Sequence, residues 1–399
     1  MLQKVYPYLG WASIFIVGAR RTPFGAMGGA FTKVSPTDLQ EVAAKAALAD
    51  AKVDPKLVDS VVIGNVISVS DKDTGYISRH VGLRVGVPLE APALTINRLC
   101  GSGFQAVDIL MGDSKIVLTG GSDNMSMTPM VLRDIRFGIK LGANLGMEDA
   151  LWTPLTDYHC NTPMGVTAEN LAKQYNITRE DADQFALKSQ TNWKNAHDKG
   201  YFKAELAPVT VKTRKGDKEI SVDEHPKPDT VLAGLAKLPS VFMKNGTVTA
   251  GTASGICDGA GAVVVASEEA CKSNNLQPLA RLVGYAIAGV EPTIMGIGPV
   301  PAIRKLLKIS GLQLADINLV EINEAFAPQT LACQRELDID PAILNVNGGA
   351  IALGHPLAAS GARITSHLVH EMRRRQVKYS IGSACIGGGQ GIALLLESV

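Results

Sequence analysis

Short apolar runs alternate with longer amphipathic stretches in the first third of the chain. The runs have the length and composition of buried strands, and the stretches between them repeat apolar positions at helical spacing. The first helix has a clear start, because Ser35-Pro36-Thr37-Asp38 places capping residues, a proline and an acidic side chain in one turn. The predicted elements are a strand over 14–17, a helix over 37–51, and strands over 58–63 and 115–119.

The last third of the chain repeats this order of elements. It contains predicted helices over 300–310 and 360–375, strands over 317–322 and 379–381, and a further helix after residue 322. Residues 58–63 match residues 317–322, and the turn that leads to Cys100 corresponds to the turn that leads to His355. The sequence therefore predicts an α/β protein with two similar halves, each a parallel-rich sheet covered by helices on both faces.

The middle of the chain is more polar and less regular than either half. Residues 212–229 form a hydrophilic stretch with two prolines, whereas residues 249–266 are rich in glycine and then apolar. We therefore predict three parts: an N-terminal core domain (1–127 and 246–275), an inserted loop domain over the active site (128–245), and a C-terminal core domain (276–399).

Composition and charge exclude several classes of protein. The chain has 399 residues and a formal net charge of +1, so no overall field attracts nucleic acid or a membrane surface. No apolar run reaches the roughly 18 residues that a membrane-spanning helix needs. The six cysteines include no CxxC pair, which argues against a disulfide framework and against a zinc or other metal site.

The N-terminal segment allows two interpretations. Residues 1–37 contain no Asp or Glu but do contain Lys4, Arg20, Arg21 and Lys33, which is typical of a mitochondrial signal. The same positions also fit a first strand and its flanks, and residues 6–11 have no evident structural role. The last three residues, Glu397-Ser398-Val399, are not a peroxisomal signal.

Two cysteines stand in glycine-rich turns, one in each half of the chain. Cys100 lies within 97–103, between a predicted strand and a predicted helix, where backbone N–H groups and the helix dipole favour a thiolate. Cys385 lies within 382–391, a segment with five glycines. Either cysteine alone is compatible with a small core residue, but the occurrence of one in each half favours a chemical role.

Two polar positions accompany these cysteines. His355 follows Gly348-Gly349 and Gly354 and precedes Pro356, so its imidazole stands in a tight turn just before a helix. Asn323 follows a buried strand directly, and polar groups at strand carboxyl ends commonly line the ligand crevice of α/β sheets. The alternatives are a structural histidine and an asparagine that caps the next helix.

Together these four segments resemble the thiolase family from about Ile14 to the C-terminus. The order and spacing of Cys100, Asn323, His355 and Cys385 are similar to those of the family. Residues 136–138, 155–157, 246–251 and 295–299 resemble the mitochondrial 3-ketoacyl-CoA thiolases in particular. The resemblance implies the duplicated thiolase fold, with two α/β cores in a layered α-β-α-β-α arrangement and an inserted loop domain.

The resemblance also implies an activity. The chain is expected to cleave 3-ketoacyl-CoA with coenzyme A, reversibly, to acetyl-CoA and a shortened acyl-CoA in fatty acid β-oxidation. Coenzyme A and acyl-CoA are then co-substrates rather than bound cofactors. A homodimer or homotetramer in the mitochondrial matrix is expected, without a nucleic-acid partner.

Roles for single residues follow from the same resemblance. Cys100 is expected to be the nucleophile, His355 its base, and Cys385 the acid and base for the acetyl-CoA carbanion and for coenzyme A. Asn323 is expected to hold a water at one oxyanion site, and the N–H groups of Cys100 and Gly387 to form a second.

The coenzyme A contacts implied by the resemblance are Lys227, Thr230 and Ser254. Most similar thiolases have Arg at the position of Lys227, and Lys keeps the charge but loses the forked geometry. A solvated loop lysine is the alternative at this position.

One segment departs from the family. About five residues are missing between Cys100 and Gly120-Gly121, so the helix after Cys100 is expected to end near 110–113. We expect this loss to affect stability, and dimer contact through the strand at 115–119, more than thiol reactivity, because the dipole acts mainly in the first turn.

Three other functions remain open from the sequence. One is a biosynthetic acetyl-CoA acetyltransferase of the same family, and another is a decarboxylating ketoacyl synthase, against which Cys385 argues. The third is a catalytically impaired homologue that only binds coenzyme A, which the shortened helix motivates.

Overall fold

The computed structural model describes residues 13–108 and 114–399. The strands are β1 (Ile14–Arg21), β2 (Gly25–Ala26), β3 (Ser60–Gly64), β4 (Ala93–Ile96), β5 (Ile116–Asn124), β6 (Met130–Leu132), β7 (Met147–Asp149), β8 (Thr156–Asp157), β9 (Thr162–Pro163), β10 (Val209–Thr213), β11 (Gly216–Ile220), β12 (Cys257–Ser267), β13 (Ala280–Gly289), β14 (Leu319–Ile322), β15 (Tyr379–Ile386) and β16 (Gln390–Ser398).

The α-helices alternate with these strands in both halves. They are α1 (Pro36–Ala51), α2 (Ile77–Val85), α3 (Ser102–Asp108), α4 (Met164–Gln174), α5 (Arg179–Asp198), α6 (Leu232–Leu235), α7 (Glu268–Ser273), α8 (Pro299–Ser310), α9 (Ala327–Leu337), α10 (Ala350–Leu353) and α11 (Leu357–Arg375). The predicted start of α1 is confirmed, since Ser35 Oγ accepts a hydrogen bond from Asp38 N at 3.0 Å. The predicted helix end at 110–113 and residues 6–11 lie outside the described residues.

The main sheet has the order β14-β15-β16-β13-β1-β12-β5-β3-β4. Its two halves, β1-β12-β5-β3-β4 and β13-β16-β15-β14, share one plan and meet where β1 pairs with the start of β13. The predicted duplication is therefore confirmed. The prediction of parallel-rich sheets is wrong for the central strands, because β1, β12, β13 and β16 pair antiparallel with their neighbours. A tight turn joins β15 to β16, and a hairpin connection requires antiparallel strands.

The helices and the two halves of the sheet form five layers, as the packing of side chains on the two sheet faces shows. Helices α1 and α2 pack on the outer face of the first half, and α8 and α9 on the outer face of the second. Helices α3 and α11 lie between the two halves, against apolar side chains such as Val263, Val265 and Leu394. The alternation of Val264 outward and Val263 inward on β12 is the two-residue period of a strand buried on both faces. The predicted α-β-α-β-α arrangement is confirmed.

The two central helices touch through glycine. A Cβ at Gly361 would lie 2.1 Å from Phe104 N, and a Cβ at Gly103 would lie 2.3 Å from Ala358 O. These glycines let the backbones of α3 and α11 meet near their N-termini. The segments just before both helices, which contain Cys100 and His355, are thereby brought to one place.

The strand that we expected at a dimer contact is internal. Strand β5 pairs with β12 on one side and with β3 on the other, so its backbone hydrogen bonds are used within the chain. Strand β5 therefore has no free edge for strand pairing with a second copy, and β4 is the edge strand of this half, so the expected dimer contact stays a prediction.

Residues 128–245 contain small hairpins and the helices α4, α5 and α6. Arg21 of β1 connects them to the core, because its buried guanidinium pairs with Glu205 and Asp223. Within the described residues, no helix is long and apolar enough to cross a membrane. No group of His, Cys, Asp and Glu among them is arranged to hold a metal ion.

Candidate active site

Cys100 stands in a strained turn between β4 and α3. Leu99 adopts a left-handed φ of 46°, which is uncommon for a bulky residue. Side chains hold this turn: Asn97 Oδ1 accepts from Leu99 N at 2.9 Å, and Ser102 Oγ donates to Leu99 O at 2.7 Å. Such strain persists only where the surroundings enforce it, and it is typical of functional turns.

Two backbone N–H groups point at the sulfur of Cys100. They are its own N–H and that of Gly387, which begins the turn between β15 and β16. Burial nevertheless raises the pKa of the Cys100 thiol to about 11, with a smaller contribution from the charge of Asp123. The N–H groups lower this pKa as expected, but burial outweighs them. The backbone N–H groups thus favour the thiolate in the predicted direction, but burial keeps the thiol protonated in the free protein, and the thiol needs a base.

The first residue of α11, Leu357, packs in the same apolar cluster as Cys100, and His355 is buried two residues before it. Its Nδ1 lies 2.6 Å from Ser360 Oγ, and its Nε2 lies 3.4 Å from Asn323 Nδ2. Since the amide nitrogen can only donate, Nε2 accepts and Nδ1 carries the proton. Burial, helped by the charge of Arg363, lowers the pKa of His355 to about 3. The imidazole is therefore neutral and presents an unprotonated Nε2.

Asn323 follows the strand β14 directly, and its backbone N–H donates to Ser383 O at 2.9 Å. It does not cap the following helix, since Phe326 is the residue before α9. That alternative is wrong. Its side chain is fully buried, and Oδ1 has no hydrogen-bond partner among the described residues. A buried polar atom of this kind indicates a binding function.

Cys385 lies near the end of β15 and is buried against Met295 and Ala325. Burial raises the pKa of its thiol well above the usual value, and charge on Cys100 raises it further. The second cause places the two sulfurs within electrostatic range of each other. The structure therefore brings Cys100, His355, Asn323, Cys385 and the Gly387 N–H into one cluster.

The expected coenzyme A contacts lie in two places. Ser254 is close to the cluster, since its N–H donates to Ala325 O at 3.0 Å and the next residue, Gly255, accepts from His355 N at 2.9 Å. Lys227 and Thr230 lie in one loop, where Thr230 Oγ1 donates to Lys227 O at 2.7 Å. The Lys227 side chain is exposed.

This loop is attached to the segment that leads into His355. His225 Nδ1 donates to Ala352 O of α10 at 2.8 Å, and Lys227 N donates to Gln190 Oε1 at 2.9 Å. Gln190 Nε2 in turn donates to Ile351 O at 3.3 Å. The loop is therefore built beside the catalytic cluster, although the structure does not bring Lys227 and Thr230 into it.

Three buried polar residues at the cluster were not predicted. Ser360 orients His355, and Glu324 accepts from Ser189 Oγ at 2.7 Å and from Asn345 Nδ2 at 2.9 Å. Asp123, at the carboxyl end of β5, is the third. The sequence did contain a signal for Asp123. Like Asn323, it is a polar residue at the carboxyl end of a buried strand, and such residues commonly line the ligand crevice of α/β sheets.

Comparison with known proteins agrees with this geometry. The N-terminal thiolase domain model matches residues 14–269, and the C-terminal thiolase domain model matches residues 276–398. The mitochondrial 3-ketoacyl-CoA thiolase of Bos taurus is 61% identical over 96% of this chain and 98% of its own, and that of Homo sapiens is 59% identical over the same shares.

Solved structures give the same result. The crystal structure of human mitochondrial 3-ketoacyl-CoA thiolase matches with a TM-score of 0.95 at 58% identity, covering 97% of this chain and 99% of that one. The structure of the human enzyme in complex with CoA also matches with a TM-score of 0.95, at 57% identity, over 97% of this chain and 98% of that one. The chain belongs to the thiolase family.

Proposed function

We propose that the chain is a 3-ketoacyl-CoA thiolase of the mitochondrial matrix that acts in fatty acid β-oxidation with coenzyme A as co-substrate. One observation supports this most directly: two thiols, a neutral imidazole and a buried amide lie together around two converging N–H groups. The high identity to mitochondrial 3-ketoacyl-CoA thiolases agrees with it. The biosynthetic acetyltransferase is less favoured, since acetyl-CoA acetyltransferase of Rhizobium meliloti is only 44% identical.

The first half-reaction begins at Cys100. His355 Nε2 takes the thiol proton while the sulfur attacks the ketone carbon of the substrate. The oxygen of the tetrahedral adduct lies between the N–H groups of Cys100 and Gly387, and each such donor contributes roughly 3 kcal/mol to transition-state stabilisation. The carbon–carbon bond then breaks and leaves the acyl group on Cys100 as a thioester.

The leaving group is the enolate of acetyl-CoA, which needs stabilisation and a proton. Protonated His355 and a water held by Asn323 Oδ1 donate to the enolate oxygen, and Cys385 protonates its carbon. Cys385, now a thiolate, takes the proton of incoming coenzyme A in the second half-reaction. The coenzyme A sulfur attacks the thioester, the bond between Cys100 and the acyl group breaks, and the Cys100 sulfur takes its proton back from His355 as the shortened acyl-CoA is released. Burial disfavours the charged forms of the side chains that exchange protons in these steps. The side chains are therefore neutral at rest, which suits a reaction in which each proton passes directly from one group to the next.

Coenzyme A binding is proposed for Ser254, Thr230 and Lys227. Ser254 is the contact beside the reacting sulfur, and the loop of Lys227 and Thr230 receives the more distant, charged part of the molecule. Lys227→Arg is expected to lower KM for coenzyme A severalfold with little change in kcat, because a guanidinium binds phosphate with two parallel hydrogen bonds. An unchanged KM would favour the solvated-lysine alternative.

A second copy of the chain is proposed to pair along the edge strand β4. Among the described residues no strand pairs with the outer edge of β4, and the apolar side chains of Leu94 and nearby Leu89 are 46% and 72% exposed. Unpaired edges bearing apolar side chains favour strand pairing with another chain. Since β4 leads directly to Cys100, such a homodimer would support the turn of the nucleophile. Light scattering of wild type and Leu94→Lys tests it, with a monomeric variant as the expected result.

The central experiment is acyl transfer by purified protein. Thiolysis rates over a series of 3-ketoacyl-CoA chain lengths measure the activity, and labelling with radioactive acetyl-CoA identifies the nucleophile. Cys100→Ala should abolish labelling, Cys385→Ala should retain part of it, and Cys271→Ala in α7 is a matched control that should label normally. Equal labelling of wild type and Cys100→Ala would refute the assignment.

The proposed location has its own test. Residues 1–40 fused to a reporter should direct it to mitochondria, because this segment is basic and nearly free of acids. A diffuse cytosolic reporter would remove the support that the N-terminal sequence gives.

A further inference from the structure

Asp123 is a buried carboxylate that the proposed reaction does not use. It lies at the end of β5 and is fully buried, and its charge acts on Cys100. Its Oδ1 accepts from Val66 N at 3.0 Å, Ile67 N at 2.8 Å and Asn65 Nδ2 at 3.2 Å. Its Oδ2 accepts from Ala358 N at 2.8 Å. The carboxylate thus joins a segment of the first half to the first turn of α11 in the second.

We propose that Asp123 is a positioning residue that fixes the distance between the nucleophile Cys100 and the base His355. The inference rests on the roles proposed above for these two residues. Asp123 does not touch the reacting atoms. It acts through the two segments that it holds.

The connection to Cys100 passes through Val66. Its N–H is held by Asp123, and its carbonyl accepts from Asn97 Nδ2 at 3.3 Å. Asn97 Oδ1 in turn accepts from Leu99 N in the strained turn. Val66 and Ile67 pack in the same apolar cluster as Cys100, so the two residues whose N–H groups bind Asp123 Oδ1 lie close to the nucleophile.

The connection to His355 passes through the start of α11. Ala358 N, whose acceptor is Asp123, lies in the first helical turn together with Ser360, the hydrogen-bond partner of His355 Nδ1. First-turn N–H groups have no acceptor within their own helix. The Asp123 carboxylate therefore anchors the end of the helix that orients the imidazole, and a negative charge there is also favoured by the helix dipole.

The donor pattern explains why a carboxylate is required. All four hydrogen-bonding groups around Asp123 are donors, three at one oxygen and one at the other. The Asn side chain replaces one acceptor oxygen with an NH2 group that can only donate, so whichever way Asn is turned, this NH2 group faces an N–H group. Burial raises the pKa of Asp123 to about 7, and the N–H donors oppose this rise.

The test compares Asp123→Asn with Asp258→Asn. Asp258 is also a fully buried carboxylate, on the neighbouring strand β12, but its two oxygens accept from the N–H and the hydroxyl of Ser126 rather than from an N–H of α11. The measurements are the rate of acyl-enzyme formation at saturating substrate, KM for coenzyme A, and unfolding in urea. Asp123→Ala, which removes the acceptors without adding a donor, replaces Asp123→Asn if that variant does not fold.

We expect Asp123→Asn to lower the acylation rate at least tenfold, since small displacements of reacting groups have effects of this size. KM for coenzyme A should stay within about twofold, because the Lys227 loop is attached elsewhere, and Asp258→Asn should lose stability without this loss of acylation. Wild-type acylation by a folded Asp123 variant would overturn the inference. An equal loss in both variants would overturn it as well.

Failure of the proposed function has a different signature. If wild-type protein labelled at a residue other than Cys100, the roles of Cys100 and His355 would fall. Labelling at Cys100 together with an unaffected Asp123 variant would remove only the inference about Asp123.

Discussion

Ser360 offers the sharpest test of how the base is prepared. Its Oγ lies 2.6 Å from His355 Nδ1, and both side chains are buried. Ser360→Ala would leave the Nδ1–H without a partner, or would allow the proton to move to Nε2. Either result harms the reaction, because Nε2 must be free to take the proton of Cys100.

The magnitude follows from the buried donor. Leaving one buried polar group without its partner costs about 1–3 kcal/mol. If the whole cost destabilises the reactive tautomer of His355, which has its proton on Nδ1, the acylation rate drops by about 5- to 150-fold, since each 1.4 kcal/mol corresponds to tenfold. We therefore expect a single-turnover acylation rate roughly 10- to 100-fold below wild type.

Ser366 provides a matched control on the same helix. It is fully buried, and its Oγ has no hydrogen-bond partner within the part of the chain that the structure describes. Ser366→Ala removes the same atom from α11 without breaking a hydrogen bond, so both stability and acylation should stay close to wild type. Wild-type acylation by Ser360→Ala would refute the tautomer argument, and equal losses in both variants would point to the helix rather than to His355.

Three further results are expected. Glu205→Gln should cost about 3–5 kcal/mol in urea unfolding, because it removes the charged partner of the buried His367 and one of the two partners of the buried Arg21. Burial opposes ionisation of Glu205, but the charges of His367 and Arg21 lower its pKa to about 2. These ion pairs should therefore contribute stability above pH 4.5 that is lost as the pH falls toward 2. Gly361→Ala should cost about 1–3 kcal/mol and slow acylation, because its Cβ would collide with Phe104 N. Insertion of about five helix-forming residues after residue 110, outside the described residues, should raise Tm with little change in the alkylation rate of Cys100. The opposite result would contradict this: an unchanged Tm together with a Cys100 that reacts only after the insertion.

The sequence predicted the start of β1 at Ile14 but not that the strand includes Arg20 and Arg21. The prediction covered the apolar residues 14–17 and placed the end of the strand at residues 19–23, where Arg20 and Arg21 interrupt the apolar run. In the structure β1 reaches Arg21, whose charge is balanced by Glu205 and Asp223 from distant parts of the chain. Partners so far away in sequence are invisible to local patterns. The antiparallel strands were missed for a related reason, since apolar runs have no direction.

The candidate site divides in the same way. Cys100, His355, Asn323 and Cys385 could be predicted because each stands in a local motif of glycines or at a strand end. Asp123 and Ser360 act through hydrogen bonds that cross from one half to the other or span one helical turn, and their neighbours in sequence give no sign of these partners. Glu324 was adjacent to a predicted residue, but its contacts with Ser189 and Asn345 depend on the inserted segment and on a distant loop.

The duplication itself explains why the nucleophile and its base meet. Helices α3 and α11 occupy equivalent places in the two halves, and each begins just after a turn that presents a reactive side chain. Because the halves face each other across these helices, and because Gly103 and Gly361 permit close contact, the two N-termini converge. Cys100 and His355 are therefore neighbours as a consequence of symmetry. The first half alone would supply the nucleophile Cys100 without its base, and the second half would supply the base His355 without that nucleophile. A residue that joins the halves, as Asp123 does, is therefore placed to set the reactive geometry.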